Sequence, residues 1–272
     1  MQFDNSTKTA IEIGIQIAEK TLAKRNAALA NRAEVIAVHP RKMQVDMRIT
    51  SAVMPLTVAT IHTTGYLVAG GDSWFDYLFH DVLKLLHDKH GYIVESTAHA
   101  GESIEHMAYA GGQSEGIQRC LETVAAHGVA PLAVLLSGGG DDMAGKEFGM
   151  LLNNATSRSS GWNATILDGL IEQRINLAYK IFIAQINHLC TETFDKIVPI
   201  IVHGYDYPVP DGRGVLGGWW ILPGPWLKPG FDEKLYTALP TNIALMQSII
   251  DKFNVMLATL PAAFPNVRYL GQ

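Results

Sequence analysis

Five short, largely apolar runs constrain this chain more than any other feature. They are GYLVAG (65–70), YIVEST (92–97), LAVLLS (132–137), IVPIIVH (197–203) and VRYL (267–270). Apolar runs of strand length, bounded by Gly, Pro and Ser, mark strands buried on both faces. Between them lie segments with helical spacing: Trp74–His90, Gln113–His127, Lys146–Asn153, Thr165–Cys190 and a helix within Asp232–Leu260. Parallel strands need long crossovers, and helices supply them. The predicted fold is therefore α/β: a three-layer α/β/α sandwich around a central five-stranded parallel sheet. Residues 8–30, rich in Ala, Glu and Lys, add an N-terminal helix. Residues 34–64, with Pro40 and Pro55, resist assignment. We divide the chain into a helical extension, 1–64, and a main domain, 65–272.

Composition narrows the partners. A net charge of −5 and no run of Lys or Arg longer than two give no basis for nucleic-acid binding. No uninterrupted apolar stretch approaches eighteen residues, so no membrane span is expected. The start, MQFDNSTKTA, has neither a basic n-region nor an apolar h-region, and a soluble cytoplasmic protein is the expectation. Cys120 and Cys190 lack metal-ligand spacing and read as buried thiols. Oligomeric state is left open, homo-oligomers included.

In parallel sheets, functional groups gather beyond the carboxyl ends of the strands. Four loops qualify: GGDSW, HAGES, SGGGDDM and HGYDYPVP. Ser73 stands where a buried strand turns into a helical segment, a setting in which backbone N–H groups favour negative charge. It reads either as a nucleophile with its own N–H facing an oxyanion, or as a helix N-cap. A second serine, Ser114 in Gly112-Gln113-Ser114-Glu115-Gly116, matches the G-x-S-x-G nucleophile elbow but lacks a preceding strand. The residues before it, ESIEHMAYAG, read as helix or irregular chain, so a turn or helix start is its default. Asp141 and Asp142 are too few for a metal site, and the loop lacks the Lys and Ser/Thr of a phosphate-binding loop. His203, Tyr205, Asp206 and Tyr207 close the fourth strand, with His203 a site candidate or a structural histidine. The Gly/Pro/Trp-rich segment 211–230 is of a length that often carries function.

Taken in order, these blocks resemble the SGNH (GDSL-type) hydrolase family over roughly residues 65 to 270. GGDSW implies Ser73 as nucleophile and oxyanion donor. AHAGES implies Gly101 as a second backbone donor, and SGGGDDM aligns Gly139 to Asp142 with the third block. The resemblance also implies strand order 2-1-3-4-5. Two departures matter. The family's third-block Asn is Asp141 here, and only a protonated Asp141, its pKa raised by burial or by Asp142, would donate to an oxyanion. The family's C-terminal Asp-x-x-His is absent: no histidine follows His203, and none of the ten has Asp three positions before it. His203, oriented by Asp206, is the substitute base considered; a partner subunit or a truncated sequence are the alternatives. The expected activity is carboxylic ester hydrolysis on Ser73 with a small-molecule substrate. Tyr205 and Trp219, with Trp220 and Trp226, are candidates to line the pocket, though those tryptophans read equally as packing that pins their loop. The competing reading is a hydrolase-like binding protein without turnover. Neither a metal nor an organic cofactor is required.

Overall fold

The computed structural model describes residues 4–38, 63–76, 82–144, 148–213 and 227–271. Helix α1 (Asn5–Val38) precedes β1 (Gly65–Gly70), α2 (Val82–His90) and β2 (Tyr92–Ser96). Helices α3 (Ile104–Tyr109) and α4 (Gly112–Ala125) lead to β3 (Ala133–Leu136) and the single turn α5 (Gly140–Met143). Helix α6 (Ala164–Asp168) runs through a π-helical stretch, Gly169–Ile175, into α7 (Asn176–Phe194). Then come β4 (Ile200–His203), α8 (Lys228–Glu233), α9 (Leu239–Ala263) and β5 (Val267–Leu270).

All five strands are parallel, in the order β2-β1-β3-β4-β5. The fold class and the strand order match expectation. Alternate residues point to opposite faces. Val68, Val134, Leu136, Ile200, Val202 and Val267 join the large core on the side of α4, α7 and α9. Leu67, Ala69, Ala133 and Leu135 pack on the other side with Phe75 and Leu83 of α2. Helix α7 packs against α1, α3, α4 and α9 and is buried almost all round, which accounts for its apolar composition.

A stripe of small residues docks α1: Thr7, Ala10, Gly14, Ala18 and Thr21 are all buried. A Cβ at Gly14 would lie 2.5 Å from the Ile181 carbonyl oxygen, so glycine permits this helix crossing. Arg25 of α1 forks onto Glu122 of α4 at 2.6–3.0 Å. Helix α9 is long and apolar enough to cross a membrane by length and composition. Here its Ile249, Phe253, Met256, Leu257 and Leu260 are in the core, and it packs on β5.

Two local expectations need correction. Of the α-helix expected over Lys146–Asn153, the described residues form none: Phe148–Leu151 is a 3-10 turn, and Leu152–Asn153 pairs antiparallel with Gly161–Trp162. Gly149, a weak helix former, packs against Gly230 there. Where a helix is expected from Trp74, the described residues form a turn at Asp72–Asp76, followed by α2 over Val82–His90. Of the two readings of the segment before Gly112, helix or irregular chain, the structure has a helix over Ile104–Tyr109, capped by Ser103, whose Oγ accepts from the His106 N–H at 3.1 Å.

Candidate active site

Beyond β1 the chain bends at once, and the side chain of Asp72 governs the bend. Its Oδ1 accepts the Trp74 N–H at 3.1 Å, while the Phe75 N–H reaches the Asp72 carbonyl at 3.1 Å. The turn thus takes its cap from Asp72, and Ser73 Oγ makes no hydrogen bond among the described residues. Ser73 lies half-buried at the wall of a cavity of about 530 Å³. Asp141 and Tyr205 line the same cavity, with an apolar wall from Met143, Leu227, Met246, Ile249 and Ile250.

Underneath, Asp72 is 1 % exposed and held by three donors. Besides the Trp74 N–H, Ser137 Oγ donates to Oδ1 at 2.8 Å and the Tyr205 hydroxyl to Oδ2 at 2.8 Å. The Tyr205 oxygen also accepts the Gly138 N–H at 3.0 Å, and Tyr179 donates to the Gly138 carbonyl at 2.7 Å. Burial and neighbouring Asp72 push both phenols well above their ordinary pKa, so both remain donors. Tyr205 therefore joins the loops after β1, β3 and β4 through one hydroxyl. Gly71 makes this approach feasible, since a Cβ there would fall 2.1 Å from Ser137 Oγ.

Gly139, at φ +92°, turns the chain from β3 into α5 and presents the two acids. Asp142 Oδ2 accepts the Ile104 N–H at 2.8 Å at the start of α3. Burial raises its pKa to about 6 against the lowering effect of those N–H groups. Asp141 is raised to about 6 by burial first, then by Asp72 and Asp142, and its Oδ2 is buried without a hydrogen bond. Across α5 a second cavity, about 660 Å³, shares Asp141, Met143 and Ala144 with the first. Its wall includes Asp142, Thr165, Gln173 and Arg174.

His203 does not line the Ser73 cavity. Its ring stacks on Trp74 at 5.3 Å and lies near Phe75 and Tyr205 at 5.7 and 5.1 Å. Nδ1 is 2.8 Å from the Gly204 carbonyl oxygen, which can only accept, so the neutral ring carries its proton there. Nε2 is left with a lone pair, buried and without a partner among the described residues. Burial lowers the ring's pKa. Asp206 does not orient this imidazole; it accepts the Tyr207 N–H at 2.7 Å.

Gly101, at φ +84°, sits in an exposed turn after β2 and is not among the residues lining the cavity. Ser114 is fully buried in the first turn of α4 and donates to Gln185 Oε1, so its G-x-S-x-G match is a packed helix start. Cys120 and Cys190 are free and buried, their thiols pushed up to about 11 and about 12 by burial. Trp219, Trp220 and Trp226 lie outside the described residues. The supporting roles of Asp72, Ser137 and Tyr179 escape sequence reasoning. Their one trace is an acid directly after a wholly buried strand, which must find donors.

No protein-family model and no curated protein matches the chain. Among solved structures it is similar to a mutant of esterase AlinE4, at 12 % identity, 76 % of each chain and a TM-score of 0.37. It is also similar to TesA, at 16 % identity, 72 % of this chain and 73 % of that one, TM-score 0.28. A third is a catalytic mutant of Axe2, an acetylxylan esterase from Geobacillus stearothermophilus: 16 % identity, 71 % of this chain and 74 % of that one, TM-score 0.26.

Proposed function

We propose that this chain is an SGNH-type serine hydrolase that cleaves carboxylic esters through an acyl-enzyme on Ser73. One observation carries the reading. Ser73 presents a hydroxyl with no partner among the described residues, just past a buried parallel strand, on the wall of a largely apolar cavity. Attack of Oγ on the acyl carbon moves the carbonyl electron pair onto oxygen, and the hydroxyl proton passes to a base. Collapse expels the alcohol with that proton, and water repeats the sequence to release the acid.

The Ser73 N–H and the side chain of Asp141, both on the cavity wall, are assigned to the oxyanion, and the Gly101 N–H, outside that lining, is added by block order alone. Asp141 donates only when protonated, which its raised pKa permits in mildly acidic solution. His203 is assigned as base because its Nε2 carries the lone pair and burial favours the neutral ring. Nε2 makes no hydrogen bond among the described residues, and Trp74 stacks on the ring, so proton transfer requires this aromatic stack to open.

The test is hydrolysis of p-nitrophenyl acetate and butyrate at pH 6 by the unaltered protein, Ser73→Ala and His203→Gln. Ser73→Ala is expected to abolish turnover and His203→Gln to lower it at least about a hundredfold. The unpartnered Nε2 also favours a second reading, a hydrolase-like binding protein without turnover. Equal inertness of the unaltered protein and Ser73→Ala would select it.

A further inference from the structure

We infer that the substrate is an ester of a linear aliphatic acid longer than acetate, its acyl chain lying in the Ser73 cavity along α9. This rests on the reading of Ser73 as the nucleophile. The strand-end loops contribute the polar part of the lining, Asp72, Ser73, Asp141, Tyr205, Asp206 and Tyr207. The wall along α9 is aliphatic: Met246, Ile249 and Ile250, with Leu227 also in the lining. None of those four side chains offers a hydrogen bond, so a sugar or charged group placed against them loses its hydration without compensation. A hydrocarbon chain gains there instead, and about 530 Å³ is far more room than an acetyl group fills.

The acyl half, not the alcohol, is assigned to this wall because of what adjoins it. The second cavity lies beyond Asp141 and does not include Ser73. Thr165 and Gln173 there suit a hydroxylated leaving group. The acyl group stays bonded to Ser73 after the alcohol departs, and the compartment that contains Ser73 keeps it. Both products then separate without crossing: the alcohol past Asp141, the acid from the apolar side.

The experiment measures kcat/KM for p-nitrophenyl acetate, butyrate, hexanoate and octanoate, beside ethyl, butyl and hexyl acetate. Each added acyl CH2 is expected to raise kcat/KM about fourfold until the cavity is full, while lengthening the alcohol changes it less than twofold. Ala144→Phe, which adds bulk at the cavity wall, is expected to flatten the acyl series. Binding of butanamide, hexanamide and octanamide, followed by calorimetry on the Ser73→Ala protein, gives a readout that needs no turnover. It is expected to tighten with chain length. Activity that Ser73→Ala abolishes but that is highest on acetate, or that follows alcohol length, would overturn the acyl assignment and leave the nucleophile standing. Absent turnover with length-dependent amide binding would keep the aliphatic cavity and sink the esterase. No turnover and no amide binding would refute both.

Discussion

Replacing Asp141 by Asn removes one ionisable group and is expected to raise both activity and stability at pH 8 and to leave both nearly unchanged in acid. The Asp141 carboxyl is raised from 3.8 to about 6, and one oxygen is buried without a partner. At pH 8 only about 1 % of such a group is protonated, so under the proposed mechanism the side chain would face the oxyanion as a charge. Asn donates at every pH, and one oxyanion donor is worth about 3–4 kcal/mol. Ester hydrolysis by Asp141→Asn is therefore expected to exceed that of the unaltered protein about a hundredfold at pH 8. At pH 5, where the acid itself donates, the two should differ by less than threefold.

Stability supplies a check independent of turnover. A carboxyl whose folded pKa is raised stabilises the fold while neutral in both states, below 3.8, and that contribution is lost as pH rises through about 6. The full gap corresponds to about 3 kcal/mol. Solvent reaches part of the side chain, so about 1–2 kcal/mol is expected. Asp141→Asn should then unfold at higher urea than the unaltered protein at pH 8 and at the same urea at pH 3.5. A pH-rate profile and a stability difference both indifferent to pH would refute the reasoning for this site.

Tyr205→Phe strips Asp72 of a donor and leaves the buried Gly138 N–H without its acceptor. It should cost about 2–3 kcal/mol in urea unfolding and speed amide exchange in both 72–76 and 138–142. Tyr179→Phe, which loses only a bond to the Gly138 carbonyl, should cost about 1 kcal/mol and leave 72–76 unchanged. Gly14→Leu would drive a side chain into the Ile181 backbone and Ala184, and a loss of about 3 kcal/mol or release of α1 to proteolysis is expected. Burial holds His203 below its ordinary 6.5, so the unfolded chain takes up a proton first and stability falls as pH drops below 6.5. His203→Gln should flatten that decline in thermal melts between pH 7.5 and 5.

The sequence alone determined the sheet. The runs at 65–70 and 267–270 became β1 and β5 residue for residue; β1 is largely buried in the middle of the sheet, while β5, at its edge, buries Val267 and exposes Arg268 and Leu270. It also placed Ser73 and Asp141 beyond strand ends and His203 at the last residue of its strand, since local alternation locates each loop. Only tertiary structure decided what those side chains touch. Asp72 and Tyr205 stand 133 positions apart and meet through one hydroxyl, a contact no local pattern encodes. The same holds for His203, which Asp206 was expected to orient three residues on. Folding gives its Nδ1 to Gly204 and its faces to Trp74, because three strand-end loops converge and burial makes backbone carbonyl and aromatic rings its neighbours. At Phe148–Leu151 the apolar spacing implied a helix, and pairing of Leu152 with Trp162 overrode it. Short-range periodicity reports which face is apolar. Which loops converge depends on strand order, and so the chemistry of the site belongs to the assembled sheet.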